Sequence, residues 1–239
     1  MPAEPLPAAT AHGARAELAA LAAAESTWSG PLRELPAGAA ARPAAVLILL
    51  GVLDGLPSTH HAQDAAVSRD LDVLLLARAA TLRSHAGQVA FPGGRIDPDD
   101  DGPISAALRE AREETGLDPA GVDVLGALDD VPLEHSGHLV TPVLAWWRHP
   151  SPVRVVDAAE SAAVFRAPVA DLLDPVHRGV TVIRRADRTW RGPAFQVRGH
   201  LVWGFTALLL DALFDRLGWT ETWDRTREFE LPDLGDNGR

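Results

Sequence analysis

Apolar positions in this chain cluster in short runs, and the runs predict strands more often than helices. Residues 44–53, AAVLILLGVL, form the longest one and read as a buried strand. Residues 71–78 predict a second strand, and 88–91 a third that leads into a glycine turn. Strands follow at 122–128 and 139–147. In the latter, Trp146 and Trp147 must face opposite sides, which leaves one for the core and one for solvent or a homodimer interface. Residues 180–185 and 194–197 predict a hairpin turning near Asp187, and 201–203 lead into a helix over 206–217. That helix offers Leu208, Leu209, Ala212 and Leu213 to a core. A shorter helix spans 103–115: Pro103 stands at the first helical position, where its missing N–H costs nothing, and Gly116 ends it. Residues 11–25 allow one more helix, and 31–43 read as a loop. The polar loop 56–69 holds His60 and His61, which as adjacent residues diverge and read as surface.

Strands flanked by helices predict an α/β sandwich around a mixed sheet. The expected organisation is an Ala/Pro-rich extension over 1–43, a domain over 44–218 and a polar tail over 219–239. A formal charge of −11 argues against sequence-independent binding to a nucleic-acid backbone. The start lacks a basic segment followed by an apolar run, so no signal peptide is expected, and 44–53 is too short to span a membrane. The absence of cysteine excludes disulfides and thiol catalysis and fits a reducing cytoplasm. Lysine is absent too, so phosphate contacts must come from arginine, histidine or backbone N–H.

The candidate chemistry lies on the helix 103–115. At ~100° per residue, Ile104, Ala107, Leu108, Ala111 and Thr115 share one stripe, expected to face the core. Glu110, Glu113 and Glu114 share the neighbouring stripe, so their carboxylates are expected to converge. Like charges at this spacing repel by ~0.2–0.5 kcal/mol. Acids in a helix's last turn also meet the negative end of its dipole, at ~0.3–1 kcal/mol each. A solvated face with Arg109 and Arg112 as partners is the plain alternative, but such a face would not stack acids at the wrong end. Three hard oxygen donors suit Mg²⁺ or Mn²⁺. Asp97, Asp99, Asp101 and Gly102 imitate the start of a calcium-binding EF-hand loop, which needs a glutamate at its twelfth position. That position is Leu108, and the calcium reading fails.

Residues 109–117, REAREETGL, resemble the second half of the Nudix box, R-E-U-x-E-E-x-G-U with U aliphatic. The general box has a glycine fourteen residues before its arginine and a glutamate eight before it; here those places hold Arg95 and Asp101. The glycines are Gly93 and Gly94, so the loop is one residue longer than the common box. Residues 74–94, LLLARAATLRSHAGQVAFPGG, resemble the motif preceding the box in the coenzyme A diphosphatase subgroup, whose box also has the longer loop. Residues 161–173 and 199–206 resemble further segments of that subgroup.

The resemblance implies a Nudix-type fold with a mixed sheet between helices, and metal-dependent cleavage of a nucleotide's diphosphate linkage. It implies coenzyme A or an acyl derivative as the small-molecule substrate, cut to 3′,5′-ADP and 4′-phosphopantetheine. Related diphosphatases acting on ADP-ribose, dinucleotides or modified nucleoside triphosphates are the alternative, as is a non-catalytic nucleotide-binding module. Glu110, Glu113, Glu114 and the carbonyl of Gly94 would hold the metal, with Glu113 or Glu110 as base and Arg109 orienting the glutamates. Arg78, Arg83, His85 and Gln88 are the candidates for substrate contact. Glu160 reads as a surface acid.

Overall fold

A computed structural model describes residues 9–24, 28, 41–53, 57–81, 87–133, 137–185 and 188–231. The chain opens with α1 (Ala9–Ala22), then β1 (Arg42–Val52) and β2 (Leu71–Arg78). Two short strands, β3 (Val89–Ala90) and β4 (Gly93–Arg95), lead into α2 (Pro103–Thr115). After a 3-10 turn at Pro119–Gly121 come β5 (Val122–Ala127), β6 (Val131–Leu133), β7 (His138–Trp147) and β8 (Ser161–Pro168). The rest is α3 (Val169–Leu173), β9 (Arg178–Arg185), β10 (Arg188–Val197), β11 (His200–Val202) and α4 (Gly204–Leu217).

The main sheet has eight strands, ordered β3-β2-β1-β7-β5, with β4 on β1, β6 on β7 and β8 on β2. β1 and β7 pair in parallel and the other pairs are antiparallel, so the sheet is mixed, as the sequence predicts. β1 is buried on both faces because it is central. Ile48 and Leu50 enter one core, shared with α1, α3, α4 and the smaller β9–β11 sheet. Ala45, Leu47 and Leu49 enter the other core, under α2. Trp146 lies in the first and Trp147 in the second, so neither is available to an interface.

α2 begins and ends where Pro103 and the left-handed Gly116 predict. Its buried face differs in detail. Ala106, Ala107, Ala111 and Thr115 are buried, whereas Ile104 is 39% exposed and Leu108 lies at the margin. Small side chains let the helix sit close to the sheet, with Ile104 turned outward and Leu108 packed at the edge of the core.

Both ends of the chain pack on the domain in their described parts. Ala14 and Leu18 of α1 are fully buried, and Glu17 accepts a hydrogen bond from the indole of Trp219 at 2.6 Å. Composition reads 219–239 as a polar tail, yet Trp219, Glu221 and Trp223 are buried. Backbone bonds from Val180 to Arg227 and from Phe229 to Val180 lay this segment along β9. Behind it, Arg178 is fully buried, paired with Asp211 of α4 and lying 5.0 Å from the Phe195 ring centroid and 4.6 Å from that of Trp223. No helix is long and apolar enough to cross a membrane among the described residues.

Candidate active site

β4 seats the acids of α2. Gly93 pairs with Val46 of β1, and a Cβ there would collide with the backbone of Ala45 and Val46. At Gly94 a Cβ would collide with the Glu110 carboxylate, which therefore lies directly over the Gly94 backbone. Glycine is required at Gly93, where the neighbour is backbone; at Gly94 a side chain would displace the Glu110 carboxylate from its seat. The Glu114 carboxylate accepts the Gly93 N–H at 2.9 Å. Two carboxylates from successive turns of α2 are thus pressed onto one glycine turn.

Glu113 departs from the expected convergence. Its side chain is 59% exposed and turned toward Arg109, whose guanidinium donates to it at 3.1 Å. Among the described residues no three His, Cys, Asp or Glu side chains stand close enough together to hold an ion as they are. Mutual repulsion accounts for this: the helix aligns the backbone positions, but charge and an available arginine decide where each carboxylate points.

Arg109 is the organiser of the acidic loop. It donates to Asp100 through Nε and one terminal nitrogen at 3.1 and 3.0 Å, to Glu110 at 3.1 Å, and to the Arg95 carbonyl at 3.0 Å. Asp97 adds an ion pair at 3.6 Å. Asp100 also accepts the Asp97 N–H at 2.8 Å, closing the loop on itself. The hydrogen bonds from Arg109 hold the Asp100 carboxyl below the usual range. Asp100 does not stand out in the sequence, being the middle of three consecutive aspartates; its one signal there is its position nine residues before an arginine on a helix.

Burial pushes the Glu110 carboxyl up despite its bond to Arg109. Glu114 is raised to about 7, chiefly by burial, with Glu110 and Glu160 adding negative potential, while the Gly93 N–H and Arg78 oppose the shift. Arg78 and Glu160 therefore lie within electrostatic reach of Glu114. The Glu160 carbonyl accepts the Ala79 N–H, which fixes the β7–β8 connection beside the end of β2. The Arg78 Nε is buried without a partner among the described residues. Gln88 joins Arg78 through its carbonyl at 2.9 Å. Arg83 and His85 lie outside the described residues.

The donor set fits a small hard dication. Two half-buried carboxylates rest on one glycine turn, both carrying charge that burial disfavours, with a third carboxylate adjacent on an exposed side chain. A cation is what such a site lacks electrostatically.

A family model described as the NUDIX domain matches residues 59–176. A protein of Photorhabdus laumondii named as the uncharacterized Nudix hydrolase NudL is 41% identical over 142 residues, spanning 59% of this chain and 74% of that protein. Its namesake in Escherichia coli K12 is 40% identical over 152 residues, 61% of this chain and 75% of that one. Among solved structures, a Caenorhabditis elegans Ap4A hydrolase in a binary complex aligns with 54% of this chain and 81% of its own, at 22% identity and a TM-score of 0.40. With the box glutamates seated on their glycine turn and relatives of this identity spanning three quarters of their own length, the chain belongs to the Nudix family and is a hydrolase of the pyrophosphohydrolase kind.

Proposed function

We propose that the protein hydrolyses the diphosphate linkage of coenzyme A or an acyl-coenzyme A, releasing 3′,5′-ADP and the (acyl-)4′-phosphopantetheine. The observation that carries the reading is the seating of Glu110 and Glu114 on Gly93 and Gly94, at the end of a segment that resembles the coenzyme A diphosphatase motif.

Glu110, Glu113, Glu114 and the Gly94 carbonyl would hold Mg²⁺ or Mn²⁺. What the ion supplies when bound is neutralisation of the diphosphate oxygens and a lowered pKa for a water molecule. Phosphoryl transfer asks the protein mainly for position and charge. Glu113 accepts the proton of the attacking water; of the three carboxylates it is the most exposed and can swing from Arg109. Arg109 fixes Glu110 and the acidic loop, and so acts through the carboxylates. Arg78, within electrostatic reach of Glu114, is the guanidinium that would meet a substrate phosphate. Gln88 is the next candidate for substrate contact beside Arg78, and the sequence adds Arg83 and His85, which lie outside the described residues.

The test is a substrate panel of coenzyme A, acetyl-coenzyme A, ADP-ribose and diadenosine polyphosphates, with Mg²⁺ or Mn²⁺ and chromatographic separation of products. Release of 3′,5′-ADP from coenzyme A is the expected result. Coenzyme A left intact while ADP-ribose is consumed would overturn the assignment in favour of another nucleotide diphosphatase.

A further inference from the structure

These roles use only Arg109 and Glu113 of the cleft on the outer side of α2. It encloses about 400 Å³ and is lined by Leu108, Arg109, Arg112, Glu113, Pro119 and Val156. Its far wall is fixed to the helix: the Arg154 N–H donates to the Thr115 carbonyl at 2.9 Å and the Val156 N–H to the Glu114 carbonyl at 3.4 Å. Val153 anchors the same segment in the core under α2. Val156 is nonetheless 49% exposed, because its side chain is turned into the cleft rather than the core.

The two arginines of the cleft are in opposite states. Arg109 is engaged by four carboxylates. Arg112 is exposed and makes no ion pair or side-chain hydrogen bond among the described residues. Glu113 and Arg109 belong both to this cleft and to the acidic site, so a molecule lying across the site runs directly into it. Three apolar side chains and one uncommitted guanidinium suit a ligand with a flat apolar body and an anion, which describes a phosphorylated nucleoside.

We propose that this cleft is the subsite for the nucleoside end of the substrate, with Arg112 receiving a ribose phosphate that lies outside the diphosphate linkage. The inference rests on the coenzyme A reading and gives it a direction. The pantetheine arm is neutral and offers Arg112 no anion, so it leaves the site on the opposite side, while the 3′-phosphate of the adenosine faces Arg112.

The test compares coenzyme A with dephospho-coenzyme A in the wild type, in Arg112→Ala and in Val156→Asp, together with calorimetric binding of 3′,5′-ADP. Losing one charge-assisted contact is expected to lower the kcat/KM preference for coenzyme A about tenfold in Arg112→Ala and to weaken 3′,5′-ADP binding by a similar factor. Val156→Asp, which sets a carboxylate against the phosphate, is expected to weaken 3′,5′-ADP binding as well. If coenzyme A is hydrolysed with the same preference and 3′,5′-ADP binds equally to all three proteins, the subsite is wrong and the activity stands. If the wild type hydrolyses neither coenzyme, the activity is wrong; 3′,5′-ADP binding then decides the cleft alone, weaker binding to Arg112→Ala supporting it and equal binding overturning it.

Discussion

Arg109 and Arg178 stand in two regions that treat buried charge in opposite ways. Around Arg178 the protein supplies a counter-ion, Asp211, and the rings of Phe195 and Trp223, with Nε and one terminal nitrogen left without a hydrogen-bond partner among the described residues. Burial lowers the pKa of Arg178 and raises that of Asp211, and each partner opposes the other's shift. Around Arg109 a single guanidinium is shared among Asp97, Asp100, Glu110 and Glu113, while Glu114 is hydrogen-bonded, among the described residues, by the Gly93 N–H and feels Arg78 only through space. The first region is closed and holds the C-terminal segment on the domain. In the second, negative charge exceeds what the protein compensates, and that surplus is what a cation and a diphosphate would use.

The largest effect expected from breaking the contrast is in the closed region. Asp211→Ala strands a buried guanidinium and is expected to cost about 3–5 kcal/mol in urea unfolding. Replacing both partners, with Arg178→Met and Asp211→Leu, should recover most of that loss. Turnover per folded molecule should not change in either variant; a stable Asp211→Ala protein would mean that the pair is not buried as described.

In the open region the signs reverse. Glu114→Gln is expected to reduce turnover at least about 100-fold with Mn²⁺ present, while its melting temperature at neutral pH stays equal or rises. Near wild-type rates in that variant would remove Glu114 from the metal site. Asp100→Asn loosens Arg109 without touching a ligand, and about a tenfold loss of metal affinity is expected, read by Mn²⁺ titration.

The smallest effect is in pH dependence. Glu114 is raised from its ordinary 4.5 to about 7 in the folded protein, so folding favours its protonated form. Its contribution to metal-free stability is therefore present below the unfolded value and lost as pH climbs toward about 7. A divalent ion needs the carboxylate, so Mn²⁺ affinity should rise with pH up to about 7 and then level off. Asp72 is likewise raised to about 7 by burial, so the Glu114 share is the difference between wild type and Glu114→Gln. Identical pH profiles in the two proteins would show that Glu114 does not titrate in this range.

Local rules carried much of this protein from the chain alone. Pro103 and Gly116 bound α2 because both act through their own backbone. The strands at 71–78, 122–127 and 138–147 follow from apolar runs, since strand character needs only the alternation or burial of a few neighbours. The glutamates at 110, 113 and 114 were legible for the same reason: a helix fixes their spacing.

Only the tertiary structure decided the rest. The chain sets the carboxylates on one stripe, and the turn of Glu113 toward Arg109 is a local i, i+4 contact, but the seat of Glu110 over Gly94 depends on β4 pairing with β1, some fifty residues away. The same holds for Asp100 on Arg109, for Glu17 bound to Trp219, and for the burial of both Trp146 and Trp147. Sequence determines what each residue can bond to over a few neighbours. Which partner it meets is set by sheet pairing and packing between distant segments, and in this molecule those long-range contacts decide which charges are neutralised and which are left to bind.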